Sequence, residues 1–211
     1  MKKPKNYEDL QRLYTSVYEA GNIRTEKGWA GRYGDHSQRD VQILQYVEKV
    51  FPKPERQRIL DASCGRGHLL QELLRRGFDA RGTEIVPLLL ERDLKHFPVT
   101  IKGYHELRDF GEGAFDMVIS SDVLEHLLSE KMVREAVENL CFISKRYVVI
   151  STGLRPARTF PAHVPAVKKI TPDLHFFLRR ATWWREFLSK YIDIKWTYHN
   201  KRFCYCFGVK R

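Results

Sequence analysis

The sequence is short of cysteine, with four in 211 residues at positions 64, 141, 204 and 206, and no two of them stand in C-x-x-C spacing. That spacing marks zinc ribbons and redox loops, so neither is expected. So few thiols fit a reducing, cytoplasmic setting. Cys204 and Cys206 stand two apart in an alternating segment, which puts both on one face of a strand as small buried apolar residues. Long hydrophobic runs are missing as well. No window approaches the roughly 18 uninterrupted apolar residues of a membrane span. The start, Met1-Lys2-Lys3-Pro4-Lys5, is basic without the apolar stretch of a secretory signal. Acidic residues are scarce only in the last third: Ser144 to Arg211 holds 15 Lys and Arg against 3 Asp and Glu, whereas Met1 to Ile143 holds 22 against 23. The whole net charge of +11 therefore comes from the end of the chain. Such a bias suits an acidic partner, whether phosphate, nucleotide sugar, nucleic acid or an anionic membrane face, and equally a plain solubilising surface.

What is present is enough to fold. Hydrophobic residues make up 43% and charged residues 30%, too apolar for a disordered chain, and the length suits one domain with decoration. Tyr7 to Ala20 carries Leu10, Leu13, Tyr14, Val17 and Tyr18 at helical spacing and stops near Gly21-Asn22. A glycine-rich aromatic loop, Gly28 to Asp35, precedes a second helix from Ser37 that Pro52 and Pro54 end. From Arg58 the pattern becomes short apolar runs alternating with helical segments, the sign of a parallel sheet covered on both faces. It predicts strands at 58–61, 80–84, 99–102, 115–120 and 147–151, and helices at 68–76, 86–96 and 131–143. Ile192 to Tyr198 and Phe203 to Lys210 flank His199-Asn200-Lys201-Arg202 as a closing antiparallel hairpin.

The most informative stretch is Ile59-Leu60-Asp61-Ala62-Ser63-Cys64-Gly65-Arg66-Gly67-His68-Leu69-Leu70. A buried strand ends in a carboxylate, a glycine turn lets the backbone approach a ligand, and a helix starts at once. That is a nucleotide-type pocket. A dinucleotide fingerprint wants a third small residue where Leu70 stands, which argues against a diphosphate on this turn. Glu84 ends the next strand, 23 residues after Asp61, about where an acidic side chain accepts hydrogen bonds from a ribose. Two carboxylates would repel a phosphate chain and favour a nucleoside with a positive centre.

These residues resemble the class I S-adenosylmethionine-dependent methyltransferases. The match runs through Leu60-Asp61-x-x-Cys64-Gly65-x-Gly67-x-Leu69, Glu84, and Phe115-Asp116-Met117-Val118-Ile119-Ser120-Ser121-Asp122-Val123-Leu124-Glu125-His126-Leu127. The resemblance implies a Rossmann-like α/β/α sandwich with a seven-stranded, mostly parallel sheet and a C-terminal antiparallel hairpin. It also implies one domain over 1–211: a helical cap and loop at 1–55, a donor-binding core at 56–151, an acceptor-side insertion at 152–190 and the hairpin at 191–211. Asp61, Cys64, Gly65 and Gly67 would line the methionine and ribose portion of S-adenosylmethionine, or of the product S-adenosylhomocysteine. Glu84 would take the ribose hydroxyls, and Asp122 would lie near the methionine end. Many relatives place an aspartate beside the adenine amino group where this chain has Tyr104, so Tyr104 is expected to stack on adenine instead.

In some relatives, among them ubiquinone-pathway O-methyltransferases and small-RNA 2′-O-methyltransferases, an acidic-x-x-Glu-His run helps hold a divalent metal. Asp122, Glu125 and His126 would be its ligands here, but the same letters serve as packing residues in metal-free relatives, and no metal is the expectation. Pro172-Asp173-Leu174-His175 followed by Trp183-Trp184 looks like the Asp-x-His and Trp-Trp of methyltransferases from glycan and lipopolysaccharide clusters. One of the two tryptophans at least should be core, because they open an amphipathic helix with Phe187 and Leu188. Methyl transfer needs a base only where the acceptor is a hydroxyl or a protonated amine; His175 is the first candidate, then His126 and His163. Arg155, Arg158, Arg179 and Arg180 are candidates to clamp an anionic group on the acceptor. The expected activity is O-methylation of a small or glycan-linked acidic acceptor, with an RNA methyltransferase and a non-catalytic binding module as alternatives.

Overall fold

The computed structural model describes residues 4–21, 37–92, 94–156, 165–171 and 173–211. Two helices, α1 (Tyr7–Gly21) and α2 (Ser37–Val50), precede β1 (Arg58–Ala62), α3 (His68–Arg75), β2 (Asp79–Glu84), α4 (Pro87–Arg92) and β3 (Val99–Ile101). A 3-10 helix at Tyr104–Phe110 leads to β4 (Phe115–Ser121), a 3-10 turn at Leu124–His126, α5 (Glu130–Ile143) and β5 (Ser144–Gly153). The chain then gives α6 (Pro165–Ile170), α7 (Ala181–Leu188), β6 (Ile192–His199) and β7 (Phe203–Lys210).

The seven strands form one sheet in the order β3-β2-β1-β4-β5-β7-β6. All pairs among the first five are parallel, and β7 runs antiparallel between β5 and β6. This is the α/β architecture the motifs imply. β1 is buried from Ile59 to Ala62, as a strand covered on both faces must be. One face packs β4, β5 and the cysteine face of β7 against α5 and α7, through Val118, Leu140, Val148, Cys206, Trp184 and Phe187. The other face packs Ile59, Met117, Val149, Tyr205 and Phe207 against α2 and α3. Cys204 and Cys206 accordingly share one face as free, buried thiols. Helix α5 starts at the Ser129 cap, which accepts the Met132 N–H, and buries Val133, Ala136, Val137, Leu140 and Ile143 along one stripe.

Several boundaries differ from the sequence pattern. Helix α4 stops at Arg92 rather than 96, because the chain turns to bury Leu94 beneath the glycine loop: a Cβ on Gly67 would stand 2.6 Å from Leu94 Cδ2. Strand β5 is longer than 147–151, since Ser144 pairs with Phe115 and Gly153 with Phe203. Of the tryptophan pair, Trp184 is fully buried, and Trp183 stacks on Phe187 at 4.8 Å. Among the described residues, no helix is long and apolar enough to cross a membrane.

Candidate active site

Strand order reverses between β1 and β4, and a crevice opens at such a switch point beyond the carboxyl ends of the strands. A cavity of about 350 Å³ lies there. Its walls include Asp61, Ser63, Cys64, Gly65, Glu84, Tyr104, Asp122, Glu125, His126 and His175, gathered from the ends of four strands. The backbone is bent sharply on both sides of the switch: Ser63 after β1 and Asp122 after β4 have φ of 60° and 56°. Left-handed geometry at non-glycine residues is sparsely populated and clusters at functional sites.

Glu84 organises the glycine loop. Its Oε2 accepts the Gly65 N–H at 2.9 Å, while Oε1 accepts those of Ile85 and Val86 at 2.8 and 3.1 Å. Burial pushes its carboxyl up to about 7, with the three amides opposing. Gly65 has φ +57° and nothing within 4 Å of an added Cβ, so it presents bare backbone to open space. Gly67, at φ +76°, caps α3 and packs closely on Leu94. Asp61 is 3% exposed, and its Oδ2 has no hydrogen-bond partner among the described residues. Burial, with Asp40 and Glu84 nearby, raises its carboxyl to about 8. An orphaned buried carboxylate oxygen beside a glycine cradle fits a ligand that brings a cationic donor.

Tyr104 does line the cavity, but it is buried and its hydroxyl is committed to Ser120 Oγ at 2.7 Å and the Ala62 carbonyl at 3.4 Å. Burial raises its pKa. His105, the next residue, stacks instead on Tyr7 of α1, with centroids 4.2 Å apart.

At the other end, Ser151 on β5 ties down Asp122: its Oγ donates to Asp122 Oδ1 at 2.9 Å, and its carbonyl accepts the Asp122 N–H at 3.0 Å. Glu125 is fully buried. It accepts from Thr152 Oγ1 and the Gly153 N–H, and its own carbonyl accepts the N–H groups of Phe176 and Phe177. Burial and then Asp122 raise its carboxyl to about 8. His175 Nε2 stands 3.9 Å from Glu125 Oε1, and His175 Nδ1 lies against the Arg155 carbonyl. Gly153 permits this approach, since a Cβ there would fall 2.6 Å from Glu125 Oε1 and 2.8 Å from His175 Cε1. His126 meets His175 edge to face at 4.8 Å. Its Nδ1 is 2.8 Å from the Leu174 carbonyl and 2.5 Å from the Tyr14 hydroxyl. Burial and the neighbouring His175 depress its pKa to about 3, so it stays neutral.

Among the described residues, the group that could converge on a cation is Glu125, His126 and His175, whose ligand atoms lie within 4.8 Å of one another. It takes in His175 in place of Asp122, the third residue of the sequence-based set. Of the four arginines, Arg155 is exposed beside His175, while Arg179 lies over the rings of Phe177 and Trp183 and Arg180 caps α7. Arg158, His163 and the loop from Gly28 to Asp35 lie outside the described residues.

Sequence reasoning missed the contribution of α1 and α2. Tyr7, Leu10, Tyr14, Val17, Tyr18 and Asp40 all line the cavity, and Gln11 Nε2 donates to the Ile85 carbonyl at 2.6 Å. A signal existed, in that three tyrosines on one helical stripe carry more hydroxyls than a plain core face needs.

The comparisons agree with this geometry. No curated protein sequence matches the chain significantly. Among solved structures, magnesium protoporphyrin IX methyltransferase from Synechocystis PCC 6803, with bound SAH, superposes with a TM-score of 0.72 at 15% identity, covering 98% of this chain and 100% of that one. A SAM-dependent methyltransferase from Archaeoglobus fulgidus gives 0.60 at 17%, covering 83% and 95%. A methyltransferase from Listeria monocytogenes, described as S-adenosylmethionine dependent, gives 0.58 at 14%, covering 79% and 97%. At these identities the likeness is one of fold. Residues 36–201 match the family described as Methyltransferase domain, a span that takes in strands β1 to β6 and the glycine loop, and the chain belongs to that family.

Proposed function

We propose that the protein transfers a methyl group from S-adenosylmethionine to a hydroxyl oxygen of a small or glycan-linked acidic acceptor. The observation that carries the donor reading is Asp61, buried with an unpartnered oxygen next to a glycine cradle fixed by Glu84. Asp61 would accept from the donor's ammonium, Glu84 from its ribose, and Gly65 and Cys64 would pass closely alongside. When bound, the donor supplies an electrophilic methyl on a positively charged sulfur.

The chain's own residues would orient the acceptor and move its proton. His175 Nδ1, as N–H, donates to the Arg155 carbonyl, which leaves the Nε2 lone pair as the acceptor of a hydroxyl proton. The imidazolium so formed would lie 3.9 Å from Glu125 Oε1, and its charge would draw the raised Glu125 carboxyl back toward the ionised form. His126 is a poorer base, since its pKa is low and its Nδ1 is engaged. Most of the acceleration comes from holding the nucleophile in line. Arg155 would meet an anionic group on the acceptor at the rim, with Arg158, Arg179 and Arg180 as further candidates; the domain division at 55, 151 and 190 belongs to the same reading.

The test is calorimetric titration with S-adenosylhomocysteine, followed by a screen of phosphorylated sugars, nucleotide sugars, quinol-type phenols and short RNAs with labelled donor. Failure to bind the donor product would return the chain to a binding-module reading. Affinity for RNA that falls steeply with salt would favour the nucleic-acid alternative.

A further inference from the structure

Two large rings stand exposed side by side on the described surface, Trp196 at 40% and Tyr198 at 41% exposure. Both belong to β6, the edge strand. The strand begins with Ile192 and Ile194 turned toward the α7 face. Its register with β7 then shifts between Ile194 and Trp196. After the shift, Trp196 pairs with Phe207 and Tyr198 with Tyr205, both of which belong to the opposite face. A bulge of this kind re-aims a side chain; strict alternation would have sent Trp196 under α7.

The two rings are nearly parallel, 17° apart with centroids at 6.4 Å, and form an exposed aromatic pair. Packed rings lead from this pair toward the cavity. Tyr198 lies 5.8 Å from Tyr205, and Tyr205 lies 6.4 Å from Phe203, which lines the cavity. The hairpin turn is held at the same rim, because the Leu154 N–H donates to the Arg202 carbonyl at 2.7 Å. This brings the exposed Lys201 and Arg202 next to the segment of the exposed Arg155.

Charge chooses the occupant. The cavity wall carries Asp40, Asp61, Glu84, Asp122 and Glu125, with Arg66 as its one described permanent cation. A phosphodiester strand would bring its charge within one nucleotide of the reacting hydroxyl, against a wall of buried acidic side chains with a single arginine. A sugar ring brings neutral hydroxyl donors that such a wall accepts, and its apolar C–H face lies flat on an aromatic ring. The basic rim suits an acidic substituent further along. We propose that Trp196 and Tyr198 form a subsite for an inner ring of an acidic oligosaccharide whose terminal sugar enters the cavity. This rests on the methyl-transfer reading and names its acceptor class.

The test titrates the full chain, loaded with S-adenosylhomocysteine, with uronate- and sialate-containing oligosaccharides of one to six rings. Linking a second contact to the first raises affinity through effective concentration. A tetrasaccharide should therefore bind at least about tenfold tighter than the matching monosaccharide. Trp196→Ala with Tyr198→Ala should erase that gain and leave monosaccharide and S-adenosylhomocysteine binding unchanged. Length-independent binding, a gain that survives the double substitution, or no binding by a chain that still takes S-adenosylhomocysteine would overturn the proposal. Trp196-dependent binding of a ten-residue oligonucleotide would overturn it in favour of nucleic acid, and a drop in oligomer mass on substitution in favour of a second copy. Loss of S-adenosylhomocysteine binding by the unaltered chain would strike the donor reading instead.

Discussion

Replacing Glu84 by Gln separates the two things this side chain does. Its carboxyl is raised from the ordinary 4.5 to about 7, chiefly by burial. A carboxyl raised in the folded state stabilises the fold fully below its unfolded pKa, and that contribution is lost as pH climbs through the folded value. A shift of that size is worth about 3 kcal/mol between pH 4 and pH 8, at roughly 1.4 kcal/mol per unit. Gln is spared this loss, because it never ionises. It suffers another: its amide nitrogen must face either the Gly65 N–H or the paired N–H groups of Ile85 and Val86. An amide nitrogen left facing buried donors costs about 1–3 kcal/mol. The two effects nearly cancel at pH 8, so Glu84→Gln should melt within a few degrees of the parent there and clearly below it at pH 5. Donor affinity has no such compensation. It should fall about thirty- to a hundredfold, as loss of a charged acceptor for the ribose together with a displaced Gly65 amide implies. Calorimetric titration with S-adenosylhomocysteine and thermal unfolding at both pH values give the two readouts. Unchanged affinity, or a melting deficit that grows from pH 5 to pH 8, would refute the reasoning.

At the acceptor end, His175→Ala should lower turnover about a hundredfold or more with donor binding intact, the usual range for a lost general base; full turnover would remove His175 from the chemistry. Gly153→Ala drives a methyl group between Glu125 and His175, so it should reduce turnover with little effect on donor affinity, as single-turnover assays can resolve. Tyr14→Phe removes a hydroxyl that reaches both His126 Nδ1 and the Leu174 carbonyl. It should loosen α1 by about 1 kcal/mol, measurable as faster amide exchange along that helix. Exhaustive chelation should leave turnover unchanged, because both Glu125 oxygens and His126 Nδ1 already have hydrogen-bond partners; activity that returns only with added magnesium or manganese would contradict this.

The glycine-loop half of the cavity was legible because local chemistry dictates it. A strand ending in Asp61, a turn that needs left-handed backbone at Gly65 and Gly67, and a carboxylate at the end of the next strand are features a short stretch of chain must display. The hairpin was legible for a similar reason, since alternation in β7 separates Cys204 and Cys206 from Tyr205 and Phe207. The His175 end was harder to read, because long-range contacts build it. Tyr14 meets His126 across 112 residues, and nothing near either residue announces the other. Likewise His175 reaches Glu125 only because β5 ends in Gly153. The run Asp122-x-x-Glu125-His126 suggested three side chains converging around one helical turn. In the fold, Asp122 is held by Ser151 on β5, and Glu125 turns instead toward Thr152, Gly153 and His175. The β6 bulge left no trace in the pattern of alternation that defined the strand.

The left-handed Ser63 and Asp122 stand at the tips of two neighbouring strands, β1 and β4, on either lip of the crevice. Glycine at Ser63 would relax the chain locally, whereas at Asp122 it would also remove the carboxylate that Ser151 holds. Yet the same relaxation would let the lip of the crevice drift. Attempts to toughen this protein by smoothing its backbone should therefore loosen the crevice, and the tension held at these two residues marks where durability and shape pull apart.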